Sequence, residues 1–333
     1  MTKARLLWLA AAAVVAAGVV AGGFVQRSYE QFGAPGPLQK AETIVVERGA
    51  SLRGIADQLA EAGVIDSPYL FSFLAWYEGA QHGLRAGEYA FDAGVSKRDV
   101  LDKLRRGVTV VHRVTLAEGL TSQEMMKVLE ETDLLAGTSS AEAPLEGSLL
   151  PDTYHFSRGD TRDDIVDRMT RAMDVVLKEL WAGRAVDLPL ATPQEAVILA
   201  SIVEKETAVP EERPRVAAVF INRLRKGMRL ESDPTVVYGL TGGAGPLGRK
   251  LLRADLRKQH PYNTYRNFGL PPGPIANPGR DSLAAVLNPL ETDEFFFVAD
   301  GTGGHVFART LAEHNRNVAR WRKIQRAKRQ KKN

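Results

Sequence analysis

The sequence predicts an α+β protein in three parts: an N-terminal hydrophobic helix, a small α/β module and a larger mixed α+β domain. Three observations lead there. Residues 6–25 form one uncharged run, about the length that crosses a bilayer. Between 42 and 113, short strand and helix signals alternate. From 145 onward, long amphipathic helices come first and short strands last, the grouping of an α+β domain. A chain of 333 residues with 44% hydrophobic content supports two or three folded parts and is not the composition of a disordered chain. It has no cysteine, which excludes disulfides, thiolate metal sites and a cysteine nucleophile. Its six histidines are scattered, and no pair has the spacing of a metal site.

Lys3 and Arg5 precede the hydrophobic run. They predict a cytoplasmic N-terminus at 1–5, a transmembrane helix at 6–25 and everything else outside the cytoplasm, at the inner (plasma) membrane. The alternative is a cleaved signal, for which Ala16-Ala17-Gly18 offers small residues near a cut. Residues 26–41, with Gly33-Ala-Pro-Gly-Pro37, read as a polar linker.

Residues 42–113 read as the α/β module. Thr43–Val46 is a strand. Ser51 caps a helix through Leu52, Ile55, Ala56 and Leu59, spaced at three and four. Ser67-Pro68 opens a second helix with Leu70, Phe71, Phe73, Leu74 and Trp76. Residues 86–91 are strand-like, Ser96 caps a third helix, and 108–116 alternate as a further strand. Residues 114–144 connect, with a helix from Thr121 and a small-residue loop at 137–144. Residues 160–185 form an amphipathic helix whose core stripe is Ile165, Met169, Met173, Val176, Leu177 and Leu180.

The next helix carries the chemistry. Thr192 caps it, Pro193 takes its first position, and Glu195 stands three residues after the cap, a start signal. Val209-Pro210 ends it. Of its two late acids, Glu206 continues the apolar stripe of Leu199, Ile202 and Val203, whereas Glu204 follows the smaller Val197, Ala200 and Ser201. Partial burial and the negative end of the helix dipole both disfavour the Glu206 carboxylate and raise its pKa. A carboxyl protonated near neutrality is what a general acid requires. The competing reading is a surface glutamate paired with Arg213 or Arg215.

A helix over 214–226 follows, with Asn222 polar within its apolar face: a helix-packing hydrogen bond or a cleft residue. Residues 239–248 are glycine-rich but lack the context of a phosphate loop, and read as a flexible flap. Tyr238, Tyr262 and Tyr265 offer aromatic faces suited to sugar rings, with core packing as the alternative for each. Residues 294–299 read as a buried strand, turning at 301–304 into a hairpin. Residues 320–333 carry eight of the 44 basic residues and no acid, leaving 36 basic against 40 acidic residues in the rest. Such a tail suits anionic lipid or wall polymers, or is simply a solvated helix end.

Several segments run in a fixed order: Ala200-Ser-Ile-Val-Glu-Lys-Glu-Thr207, Val219-Phe-Ile-Asn-Arg-Leu224, Asp233-Pro-Thr-Val-Val-Tyr-Gly239, Tyr262-Asn-Thr-Tyr265, Gly269-Leu-Pro-Pro-Gly273, Ile275-Ala-Asn-Pro-Gly279 and Phe297-Val-Ala-Asp300. Together they resemble the endolytic murein transglycosylase (MltG, YceG-like) family over about 145–314, and Glu146–Tyr154 resembles its approach to the catalytic domain. The resemblance implies a catalytic domain at 145–319 and a basic tail at 320–333. It implies Glu206 as the catalytic residue, the second glutamate of Glu-Lys-Glu-Thr, with Asn222, Asp233, Tyr238, Asn263 and Tyr265 binding substrate. The module at 42–113 resembles a LysM-like domain, which in cell-wall proteins binds glycan; a spacer is the alternative.

The implied reaction is lytic cleavage of the β-1,4 bond between N-acetylmuramic acid and N-acetylglucosamine within peptidoglycan strands, leaving a 1,6-anhydro end and terminating nascent strands. It needs no metal and no cofactor. The implied partners are peptidoglycan glycan strands, the membrane through a single-pass anchor, and peptidoglycan synthases, with no nucleic acid. Two alternatives stay open at this point. One is a lysozyme-type hydrolase with Asp233 as second carboxylate. The other is a non-catalytic membrane-anchored peptidoglycan-binding scaffold.

Overall fold

The computed structural model describes residues 3–138 and 143–330; the middle of the predicted 137–144 loop lies outside them. The fold is mixed α+β and divides into two compact units. One comprises residues up to His112 with Ser157–Gly159, and the other Arg113–Phe156 with the residues from Asp160.

In the first unit, α1 (Lys3–Gly33) includes Ala11–Gly33, long and apolar enough to cross a membrane. Strand β1 (Glu42–Val46) pairs antiparallel with β2 (Gly87–Phe91), Ile44 opposite Tyr89. Between them run α2 (Leu52–Glu61) and α3 (Pro68–Tyr77), capped by Ser51 and Ser67, each accepting a backbone N–H. Helix α4 (Lys97–Arg106) starts at the Ser96 cap and ends on left-handed Gly107. The core joins Ile55, Leu59, Phe71, Leu74, Tyr89, Phe91 and Leu101.

The predicted linker is tied to this core at Phe32 and Leu38, although most of its residues are exposed. Helix α1 continues to Gly33, Phe32 and Leu38 are buried, and the Phe32 and Phe71 rings meet at 6.4 Å. Gly36 N–H donates to the Gly94 and Val95 carbonyls. A Cβ at Gly36 would lie 2.3 Å from the Val95 oxygen, so this glycine permits close docking rather than a flexible tether.

In the second unit, β3 (His112–Thr115) pairs with β4 (Thr153–Phe156). The predicted strand at 108–116 is therefore shorter, and β4 was not anticipated. Helix α5 (Ser122–Glu130) and α6 (Arg162–Ala182) both begin with capping boxes. Then come α7 (Pro193–Glu206), α8 (Arg213–Arg225), α9 (Asp233–Thr241) and α10 (Arg280–Leu287). Strands β5 (Phe296–Ala299) and β6 (His305–Ala308) form the expected antiparallel hairpin, though β5 is half-buried rather than buried. Helix α11 (Leu311–Gln330) carries most of the basic tail as regular helix.

Helix α7 is the axis of this unit. Ala196 through Val203 are all buried, packed among residues of α6, α8 and α10. A helix apolar on all sides belongs inside a domain. The contrast expected between an apolar face below Glu206 and a lighter face below Glu204 is therefore absent. The two acids differ in their partners instead.

Candidate active site

Helix α7 stops because Thr207 turns extended ahead of Val209-Pro210. Glu206 is thus the last helical residue, where the unpaired carbonyls oppose a negative charge. Its side chain is half-buried and accepts one short hydrogen bond, from Ser232 Oγ to Oε1 at 2.5 Å. Burial pushes its pKa up to about 7. The Ser232 bond pulls the other way, the Asp233 charge adds to the rise, and His305 and Arg223 oppose it from further off. Among the described residues no cation forms an ion pair with Glu206.

The arginines that would have made it a surface glutamate are committed elsewhere. Arg213 binds Glu204 at 3.0 Å, Glu118 at 2.7 Å and Asp281 at 3.4 Å. Arg215 forks onto both oxygens of Glu294 at 2.8 and 2.6 Å. The Glu204 side chain is only 5% exposed and also accepts Gly279 N–H at 3.0 Å. One helix turn therefore holds two carboxyls with different partners: Glu204 lies in an ion pair with Arg213, and Glu206 has no ion pair among the described residues.

Ser232 was missed by sequence reasoning, although Ser232-Asp233-Pro234 is a helix-start signal. Ser232 is the N-cap residue of α9, yet it makes no side-chain capping bond, because its hydroxyl is turned onto Glu206. It is held there from several sides. Its N–H donates to Thr264 Oγ1 at 3.0 Å, its carbonyl accepts Thr235 Oγ1 at 2.8 Å, and Thr235 and Thr264 share a 2.8 Å bond. The preceding Glu231 adopts φ 53°, a left-handed conformation that costs a non-glycine residue. Arg223, itself buried, fixes this turn by donating to the Leu230 carbonyl at 2.6 Å and pairing with Glu231 at 3.5 Å.

Because the Ser232 bond favours the charged form of Glu206, Ser232→Ala is expected to raise the Glu206 pKa further. The alkaline limb of the pH–activity profile should then move to higher pH, which a pH series of initial rates checks.

Of the other expected site residues, Asp233 and Tyr265 come together beside Glu206. Tyr265 Oη donates to Asp233 Oδ1 at 2.7 Å, and burial followed by this bond pushes the tyrosine pKa up. Tyr238 lines a cleft of about 520 Å³ with Asp233, Thr121, Glu124, Lys205 and Leu251. Its hydroxyl donates to Glu146 at 3.2 Å. Burial raises the Glu146 pKa against the bonds that the carboxylate accepts from Ser122 and Tyr238.

The two asparagines are brace points. Asn263 is buried, donates to the Leu256 and Lys258 carbonyls and accepts Tyr265 N–H at 3.0 Å, which orients Tyr265. The Asn222 amide donates to the Thr292 and Glu294 carbonyls at 2.8 and 3.1 Å. That is the helix-packing alternative. The expected glycine-rich flap begins as helix, since α9 runs to Thr241. It is then tied by Thr121 Oγ1 donating to the Gly243 carbonyl at 2.7 Å.

A half-buried carboxyl with no ion pair among the described residues, poised near neutrality beside a cleft, defines a candidate general acid–base catalyst on an α+β scaffold. The chain belongs to the YceG-like family, whose family model matches residues 44–320. It is 33% identical over 304 residues to the endolytic murein transglycosylase of Bacillus subtilis, covering 82% of each chain. It is 31% identical over 328 residues to the protein of that name in Streptococcus pneumoniae, covering 84% of this chain but only 58% of the pneumococcal one. A crystal structure of a yceG-like protein from Listeria monocytogenes superposes with a TM-score of 0.51 at 30% identity. It covers 84% of this chain and 99% of that one.

Proposed function

We propose that this protein is an endolytic murein transglycosylase, a lyase acting on peptidoglycan, with Glu206 as its one acid and base. The observation that carries the proposal is the state of Glu206: half-buried, without an ion pair among the described residues, and lifted to about 7. Near neutral pH it can therefore both give up and take a proton. Glu206 gives that proton to the glycosidic oxygen as the bond from the muramic acid C1 breaks, and the glucosamine unit leaves as an alcohol. The resulting carboxylate takes the proton of the muramic acid 6-hydroxyl while that oxygen bonds to C1. The strand ends in a 1,6-anhydro sugar, no water is consumed, and Glu206 is protonated again. One carboxyl acts twice, where an ordinary glycosidase uses two.

In this reading Asp233, Tyr238 and Tyr265 meet the sugar, and Asn222 and Asn263 serve by bracing the cleft walls. Asp233 supports a lysozyme-type alternative, since its charge lies near Glu206. The test is digestion of purified long glycan strands. Internal cuts that shorten strands broadly and leave anhydro ends are expected. Reducing ends would replace the lyase with the hydrolase, and glycan binding without cleavage would leave a scaffold.

The parts are assigned as before: a cytoplasmic N-terminus at 1–5, an anchor at 6–25, a LysM-like module at 42–113, a catalytic domain at 145–319 and a basic tail at 320–333. The order β1-α2-α3-β2 supports the LysM-like reading. The apolar stretch of α1 supports a single-pass anchor with the catalytic domain outside, where peptidoglycan synthases are the natural partners. A reporter fused after Asn333 should be active only outside the cytoplasm; activity inside would overturn this topology.

A further inference from the structure

Helix α3 is apolar on both sides. Phe71, Leu74 and Ala75 are buried in the first unit's core. The opposite face carries Tyr69, Phe73, Trp76 and Tyr77, which are 69%, 41%, 61% and 60% exposed. Phe73 follows Tyr69 by four residues, and Trp76 and Tyr77 follow Phe73 by three and four, which makes a single stripe along the helix. Phe73 lies 6.4 Å from the Trp76 ring and 6.5 Å from the Tyr77 ring, so the stripe is one continuous aromatic surface. A soluble domain rarely leaves such a surface uncovered.

The residues beside the stripe indicate what covers it. One groove is lined jointly by Phe24 of α1 and by Tyr69, Leu70 and Phe73 of α3. A second is lined by Ala21, Gly22 and Val25 of α1 together with Tyr77 and Arg98. The aromatic stripe thus flanks the last turns of the apolar run rather than standing away from it. Phe32, packed against Phe71 in the core, and the Lys97 ammonium donating to the Gln31 carbonyl at 3.3 Å fix α1 to the unit.

Cations sit on the same surface. The Arg53 guanidinium lies 4.1 Å over the Tyr69 ring and that of Arg98 4.3 Å over Tyr29. Arg98 Nε is buried without a hydrogen-bond partner. Acids are nearby too. Asp57 pairs with Arg53 at 3.0 Å, Asp66 with Lys97 at 2.8 Å and Glu78 with Arg105 at 3.7 Å, while Glu30 lines the second groove. The acids named in pairs are neutralised locally, while Arg98 makes no ion pair among the described residues and shares its groove with Glu30.

We propose that α3 is a membrane-interface element: Tyr69, Phe73, Trp76 and Tyr77 lie in the headgroup region of the outer leaflet, with Arg98 facing a lipid phosphate. Aromatic rings with polar edges favour that depth, and the unit is thereby seated on the bilayer instead of hanging from one helix. The inference rests on the reading of α1 as a retained anchor, and the experiment separates the two.

The full chain is placed in vesicles of phosphatidylcholine and phosphatidylglycerol in two versions. In one, Trp8→Phe, Trp181→Phe and Trp321→Phe leave Trp76 as the only tryptophan. In the other, Trp76→Phe, Trp181→Phe and Trp321→Phe leave Trp8. Lipids carrying a nitroxide on the headgroup or within the acyl chain are the quenchers. Trp76 emission should shift to the blue on reconstitution and lose intensity with the headgroup label, while Trp8 is quenched within the bilayer. An unquenched Trp76 beside a quenched Trp8 would overturn the interface proposal and leave the anchor standing. Failure of both to quench would overturn the anchor reading and the proposal with it. A Trp76 that ignores lipid but responds to added chitooligosaccharide would make the stripe a glycan platform and overturn the proposal equally.

Discussion

Glu206→Gln is expected to reduce strand cleavage by about 10²–10⁴-fold, toward the upper end because one carboxyl serves both proton transfers. Glutamine keeps the shape of the side chain and can still accept the Ser232 hydrogen bond, but it cannot give up a proton. The same substitution should not harm the fold. The Glu206 pKa is raised on folding from 4.5 to about 7, so the protonated form is the one the fold favours. Its contribution is fully present below pH 4.5 and is lost as pH rises through 7. Above that, the buried charge costs at most about 3 kcal/mol. Glu206→Gln removes this penalty, so melting temperature at pH 8 should equal or exceed that of the wild type. The dependence of stability on pH between about 4.5 and 7 should flatten. Thermal melts across that range, run beside activity assays, check both halves.

Arg213→Ala should do the reverse to stability. Arg213 is the only cation paired with Glu204 among the described residues. Its other two acids are more exposed, with Glu118 at 42% and Asp281 at 72%. Removing the arginine leaves the Glu204 carboxylate buried against Gly279 N–H with no counter-charge. Breaking a buried pair in this way costs roughly 3–5 kcal/mol. A loss of that size by denaturant titration is expected. Restoring neutrality in the double variant Arg213→Ala/Glu204→Gln should recover part of it. Glu204→Gln alone should lower stability while leaving the proton chemistry at Glu206 in place. Equal activity losses for Glu204→Gln and Glu206→Gln, in proteins equally folded, would remove the distinction between the two acids.

Local grammar accounts for most of what the sequence makes legible. Ser51, Ser67, Ser96, Thr121 and Thr192 all cap the helices they precede, because a hydroxyl accepting a backbone N–H is a short-range event. Helix α10 was invisible: Arg280–Leu287 is too short for an apolar period to stand out. The linker was misread because glycine and proline mark flexible chain as often as close backbone contact. Gly36 is the second case, and only the position of the Val95 carbonyl reveals it.

At the site, the family resemblance points to Glu206, while the apolar stripe drawn from periodicity does not set it apart, since Ala196 through Val203 are buried all round; nor could periodicity show that Arg213 belongs to Glu204, since i and i+2 on one helix reach different neighbours. Ser232 was readable as a cap but not as a ligand of Glu206, because that role depends on α9 starting against the end of α7. Asn222 sits one turn from nothing catalytic in sequence terms. Its carbonyl partners at 292 and 294 lie too far along the chain for any pattern to reveal.

The claim at the centre is that one carboxyl cleaves the glycan without water. The direct test is the mass of newly formed strand ends after cleavage in heavy-oxygen water. The account predicts 1,6-anhydro ends that carry no label, formed by the wild type and lost in Glu206→Gln. Labelled reducing ends, one heavy oxygen for each bond cut, would contradict it and assign Asp233 the second half of a hydrolase.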